Sequence, residues 1–117
     1  MSLKVKSGVP LEKLRKFGFA PGEELAQHPV FRDQFEGAGY MLPWWHKFLC
    51  DDGQVCLSED ELLLIHAWVD TRDGKNLLWF DVTPCCTYHA GMEELDMVTD
   101  TVFELTKAGL LEPNVPN

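Results

Sequence analysis

Runs rich in aromatic and β-branched residues begin near Tyr40 and are separated by short polar turns. Two of these turns contain an Asp-Gly pair, at Asp52-Gly53 and Asp73-Gly74, and this pair is favoured at the centre of two-residue hairpin turns. The polar residues 58–61 supply a further turn between the two hairpins. The pattern therefore predicts four antiparallel strands in a meander, near residues 44–50, 54–58, 62–70 and 76–82.

Helical periodicity flanks this predicted sheet on both sides. Apolar residues recur on one face between Pro10 and Gly18, which predicts a short helix at about residues 10–17 with a left-handed C-terminal cap. Residues 20–39 contain several Pro and Gly residues and are predicted to be irregular. From about Gly91 to Gly109, apolar residues again recur at helical spacing, which predicts a long C-terminal helix.

These elements predict an α+β fold in a single domain over residues 1–117. Its parts are a short N-terminal helix, a four-stranded antiparallel meander, and a long C-terminal helix packed on one sheet face. Residues 1–7 are expected to be flexible, and residues 113–117 are expected to form a tail.

The Asp73-Gly74 turn also predicts which residues pair across the second hairpin, because side chains alternate between the two faces of a strand. The pairs expected on one face are Val69 with Leu78, Ala67 with Phe80, and Ile65 with Val82; the other face holds Trp68 with Trp79 and His66 with Asp81. Both faces are largely apolar, so both need a cover. The C-terminal helix covers one face, and the other is left to the N-terminal segment, a second subunit or a ligand.

Composition and charge narrow the function. The 117 residues are 45% hydrophobic and 25% charged, which is typical of a soluble globular domain. Ten basic residues against 19 acidic ones give a net charge of −9, which disfavours nucleic acid as a partner. No membrane-spanning run or signal peptide is evident. We therefore expect a cytoplasmic protein whose four cysteines are free thiols.

Candidate chemistry is concentrated after the last predicted strand. Cys86 and His89 have the spacing of half a zinc site, and Cys85 is adjacent. Alternatively, one of these thiols is a nucleophile activated by His66 or His89 and oriented by Asp81. No local catalytic signature accompanies them, so we expect no enzymatic activity and no cofactor.

The four tryptophans form a second group of candidates, since Trp and Tyr commonly anchor protein partners. Trp44 and Trp45 are consecutive, so they face opposite ways on a strand, and at least one is expected at the surface. The residues predicted to bind a partner are Trp44, Trp45, His66, Trp68, Trp79 and Asp81.

Two helix endings carry a resemblance to known proteins. The first helix closes with Lys13-Leu14-Arg15-Lys16-Phe17-Gly18-Phe19, and the last with Phe103-Glu104-Leu105-Thr106-Lys107-Ala108-Gly109-Leu110-Leu111-Glu112. With the Trp-rich start of the meander between them, this order resembles small phage or prophage proteins of unknown function, which implies an accessory cytoplasmic role. The hypothesis from the sequence is a non-enzymatic interaction module that binds a protein partner or a second copy of itself in a homodimer. The alternative is a small-molecule or metal site built on the Cys, His and Asp residues.

Overall fold

The computed structural model describes residues 2–28, 31–32, 35–50, 63–82 and 92–115. Within these residues the strands are β1 Leu3–Val5, β2 Ala20–Pro21, β3 Trp45–Cys50, β4 Leu63–Asp70, β5 Leu77–Val82 and β6 Leu111–Pro113. The helices are α1 Gly22–Leu25 and α2 Met92–Lys107, with 3₁₀ turns at Leu11–Phe17, Gly39–Met41 and Arg72–Gly74. The chain is therefore a mixed helix and sheet protein with an antiparallel sheet, as the sequence predicts.

The hairpin between β4 and β5 has the predicted register. All five pairs expected from the Asp73-Gly74 turn are present, and Asp70 opposite Leu77 adds a sixth. Asp73 and Gly74 both have positive φ angles, 58° and 69°, which is the backbone that an Asp-Gly turn supplies. Local turn chemistry is thus sufficient to define this half of the sheet.

The predicted meander of four strands is wrong. The sheet has six strands in the described residues, in the order β2-β3-β4-β5-β1-β6. β3 pairs directly with β4, with Phe48 opposite His66 and His46 opposite Trp68, so two strands that the meander separates are neighbours in the sheet. The Asp52-Gly53 turn and the 54–58 segment lie outside the described residues. Pairing of non-consecutive segments, which local patterns do not encode, decides the arrangement.

The two ends of the chain also differ from the prediction. The segment expected to be flexible contributes β1, which lies between β5 and β6. The expected tail begins inside β6, and Asn114 donates its backbone N–H to the carbonyl oxygen of Ser2 at 2.9 Å. Strands of three residues carry too little alternation to be recognised in a sequence. β1 forms on the available hydrogen-bonding edge of β5, and β6 then pairs with β1.

One sheet face, which we call the helix face, carries Trp45, Ala67, Val69 and Leu78. These buried side chains pack with Leu105 of α2 and with Leu14 of the N-terminal 3₁₀ turn. The N-terminal turn lies at the predicted position, although it is a 3₁₀ helix, and it ends at Gly18 with a left-handed φ of 89°. Gly109 ends α2 in the same way, with φ 76°. Both left-handed caps are as the sequence predicts.

The opposite face, which we call the histidine face, carries His46, Phe48, His66 and Trp68, because side chains alternate along β3 and β4. Its cover comes from residues 22–42, which the sequence describes only as irregular. Phe31, Phe35 and Phe48 form the buried cluster there, supported by four partly buried side chains, Leu25, Ala26, Met41 and Leu42. The N-terminal 3₁₀ turn and residues 22–42 therefore cover opposite faces of the sheet.

Candidate functional site

A hydrogen-bonded histidine pair occupies the centre of the histidine face. His46 Nδ1 lies 2.8 Å from His66 Nε2, and His46 Nε2 lies 2.8 Å from the carbonyl oxygen of Met41. The two histidines come from neighbouring strands, two residues out of direct opposition. His46 is fully buried, so the pair connects the sheet to the segment that covers it.

The hydrogen-bond partners define the proton positions in the neutral pair. The carbonyl oxygen of Met41 can only accept, so His46 Nε2 donates to it. Nδ1 of neutral His46 then accepts from His66 Nε2, which leaves the proton of His66 on Nε2. The order of donation runs from His66 to His46 to Met41.

Aromatic rings pack around this pair. The His66 ring stacks on Phe48, with ring centroids 4.4 Å apart, and tilts against Trp68 at 4.7 Å. Phe35 meets the edge of His46 at 5.0 Å. Burial lowers the pKa of His46, and burial together with the charge of neighbouring His46 lowers the pKa of His66 to about 3. Both rings are therefore neutral at pH 7.

The predicted pairing of His66 with Asp81 holds only as strand register. The two residues are opposite each other across β4 and β5, but Asp81 is exposed. No hydrogen bond between them is found in the described part of the chain, because the ring of His66 turns to His46. This arrangement does not support the predicted base and orienting carboxylate.

The four tryptophans separate into buried and exposed residues. Trp44 and Trp45 are 5% and 7% exposed, so the expectation that one of them lies at the surface is wrong. Both are buried because each face of β3 has its own cover. Trp68 is partly buried, whereas Trp79 is 44% exposed. Of the predicted binding residues, only Trp79 and Asp81 are readily accessible.

An ion pair borders the buried Trp44. The Arg72 guanidinium donates to both carboxylate oxygens of Asp70 at 2.7 to 3.1 Å and lies 5.0 Å from the Trp44 ring centroid. Burial alone would raise the pKa of Asp70, but the hydrogen bonds from Arg72 outweigh it and the pKa is lowered. A satisfied pair of this kind stabilises the start of the β4–β5 turn and offers no free group for catalysis.

The predicted metal ligands Cys85, Cys86 and His89 lie outside the described residues. Within the described residues, no group of three or more His, Cys, Asp or Glu side chains is placed to hold a metal ion. His46 and His66 are bonded to each other, so their nitrogens do not converge on a common point. The metal-site alternative therefore stays a prediction.

Among the α2 side chains whose exposure the structure describes, residues 98–107, the most accessible large apolar one is Phe103, which is 63% exposed. It lies on the outer side of the helix, opposite buried Thr101 and Leu105. Thr99 and Thr106 are also exposed beside it, and with Val98 and Val102 they line an open apolar surface. We call the set Thr99, Asp100, Phe103, Thr106 and Lys107 the outer face of α2.

An open groove continues from this surface onto the sheet. It has a volume of about 310 Å³ and lies between α2 and strands β1 and β5, where its lining comprises Ser2, Leu3, Leu78, Trp79, Phe80, Val98 and Val102. Val98 and Val102 belong to both regions. Apolar surface thus extends from Phe103 across the flank of α2 to Phe80 of β5, whereas the side chain of Trp79 lies on the opposite face of the sheet with Trp68.

Sequence reasoning did not predict the contact of His46 with His66 or the exposure of Phe103. His46 becomes significant only because β3 lies next to β4, which the predicted meander excludes. The sequence does contain a signal that Phe103 is exposed. Phe103 falls outside the apolar stripe of Val98, Val102 and Leu105, so it is a large apolar residue on the solvent side of a helix.

Comparisons with known proteins found no matching family model, no similar curated protein and no similar solved structure. The resemblance to small phage proteins therefore stays a prediction. Among the helices in the described ranges, none combines the length and apolar character needed to cross a membrane. The function must be argued from the residues of this chain.

Proposed function

We propose that this protein is a non-enzymatic interaction module that binds another protein chain through the outer face of α2. The observation that carries the proposal is the 63% exposure of Phe103 on a helix whose opposite side is buried in the core. Its surroundings are exposed threonines and half-buried valines, which extend the apolar contact area. Large apolar residues in such continuous patches are typical of protein interaction sites.

The shape of the surface favours a protein over a small molecule. Small-molecule sites are concave and bury most of their ligand, whereas this surface is an exposed helix side bordered by an open groove. The buried histidine pair is enclosed by rings and uses its hydrogen bonds internally. A protein partner can contact both the helix and the groove at once.

Site-specific photo-cross-linking tests this proposal. A photoreactive phenylalanine analogue replaces Phe103 in the full chain, and a matched control carries it at Glu23, which is exposed on α1 on the opposite side of the sheet. We expect one discrete cross-linked product on irradiation in cells from position 103 and none from position 23.

The mass of the product identifies the partner class, because a second copy of this chain and a different protein give different masses. No product from position 103, or equal products from both positions, would refute the proposed function. Circular dichroism of each substituted chain checks that the fold is retained.

A further inference from the structure

We infer that the partner of α2 is a second copy of this chain, which packs antiparallel to it about a two-fold axis at Phe103; this inference rests on the proposed function. In two antiparallel helices related by such an axis, a residue that lies a given number of positions before Phe103 meets the residue that lies the same number of positions after Phe103 in the second copy. The outer face of α2 has the residue types that this symmetry requires.

Charge complementarity supports the inference first. Asp100 lies three residues before Phe103 and Lys107 four residues after it, and both are exposed. At 100° per residue, they project about 60° and 40° to the same side of Phe103. The two-fold axis therefore places Asp100 beside Lys107 of the second copy, about 1.5 Å apart along the helix axis. The symmetry generates this ion pair twice.

The size of the side chains on the other flank of Phe103 also supports the inference. Thr99 and Thr106 lie on the other side of Phe103, about 40° and 60° away, and both are exposed. The same axis places Thr99 beside Thr106 of the second copy. Small side chains on this side let the helices approach, and the two Phe103 rings meet at the axis. Both flanks of Phe103 are therefore compatible with an isologous contact.

The complementarity matters because the chains repel each other as whole molecules. Each copy carries a net charge of −9, so self-association depends on apolar contact and locally opposite charges. A parallel arrangement about a two-fold axis would instead place Asp100 and Lys107 opposite the threonine flank of the second copy and lose both ion pairs. The charges on the outer face thus select the antiparallel orientation.

Reciprocal charge reversal tests the inference by sedimentation equilibrium of the full chain. Asp100→Lys places two lysines at each paired position of the homodimer, and Lys107→Asp places two aspartates there. We expect self-association of each variant to weaken by about tenfold or more. Mixing the two variants restores both ion pairs, so a heterodimer forms with affinity near that of the wild type.

Glu23→Lys is the matched control, because it changes the net charge by the same amount as Asp100→Lys at an exposed residue away from α2. We expect its self-association to equal or exceed that of the wild type. A monomeric wild-type chain, unchanged association of the two reversed variants, or failure of their mixture to recover would overturn the inference. A monomeric wild type that still cross-links a different protein from position 103 would overturn it while leaving the proposed function intact.

Discussion

His46 Nδ1 accepts a hydrogen bond from His66 Nε2 across 2.8 Å, within the buried histidine face. The same His46 ring donates to the carbonyl oxygen of Met41, so the pair holds residues 22–42 against the sheet. The arrangement keeps that face of β3 closed.

A double-mutant cycle measures the contribution of this pair. His66→Phe leaves His46 Nδ1 buried without its donor, and we expect the free energy of unfolding to fall by about 1–3 kcal/mol. His46→Phe leaves both the carbonyl oxygen of Met41 and Nε2 of His66 without their hydrogen-bond partner. We therefore expect an equal or larger fall in the free energy of unfolding. The double variant should lose less than the sum of the single losses, by about 1 kcal/mol. Urea unfolding followed by tryptophan fluorescence gives these values, and strictly additive losses would contradict a direct coupling.

The pair also makes stability depend on pH. The unfolded chain takes up a proton on histidine near pH 6.5, whereas the pKa of His66 in the folded chain is about 3. Between these values the unfolded state binds more protons, so stability is complete above pH 6.5 and falls as the pH falls through this window. We expect His66 to account for a loss of about 3 kcal/mol between pH 6.5 and about pH 4.

The matched measurement for this pH effect is the unfolding free energy of the wild type and of His66→Phe at the same series of pH values. The other ionisable groups titrate alike in both chains, so the difference isolates His66 and the His46 it contacts. An identical pH dependence in the two chains would contradict the assignment.

Gly22 is expected to be essential for the cover of the histidine face. A Cβ at this position would lie 2.7 Å from the carbonyl oxygen of Leu42 and 2.8 Å from that of Met41, and backbone atoms cannot yield as a flexible side chain can. We expect Gly22→Ala to lower the free energy of unfolding by about 1–3 kcal/mol. Gly39→Ala is the control, since nothing lies within 4 Å of its Cβ. Equal effects in the two variants, measured by urea unfolding, would refute this account of Gly22.

The part of the fold that depends on local chemistry could be predicted from the sequence. Asp73-Gly74 defines the β4–β5 register, and Gly18 and Gly109 end their helices with left-handed backbone. Each of these features depends on one or two residues whose conformational preferences dominate their surroundings. The predicted positions therefore agree with the structure.

The rest depends on contacts between distant segments. Direct pairing of β3 with β4 brings His46 to His66. The local sequence around either histidine does not indicate that the two side chains meet. The short strands β1 and β2 form on the edges of β5 and β3, and β6 pairs with β1. Residues 22–42 cover the histidine face through aromatic packing of Phe31 and Phe35, which has no regular period to recognise.

The proposed homodimer depends on contact between the Phe103 side chains of two copies of this chain. Sedimentation equilibrium of the wild type and of Phe103→Ser, over a wide range of protein concentration, tests it most directly. The account predicts a wild type that dimerises as concentration rises, and a folded variant of unchanged stability that stays monomeric. Association that is the same in both chains, at every concentration, would contradict it.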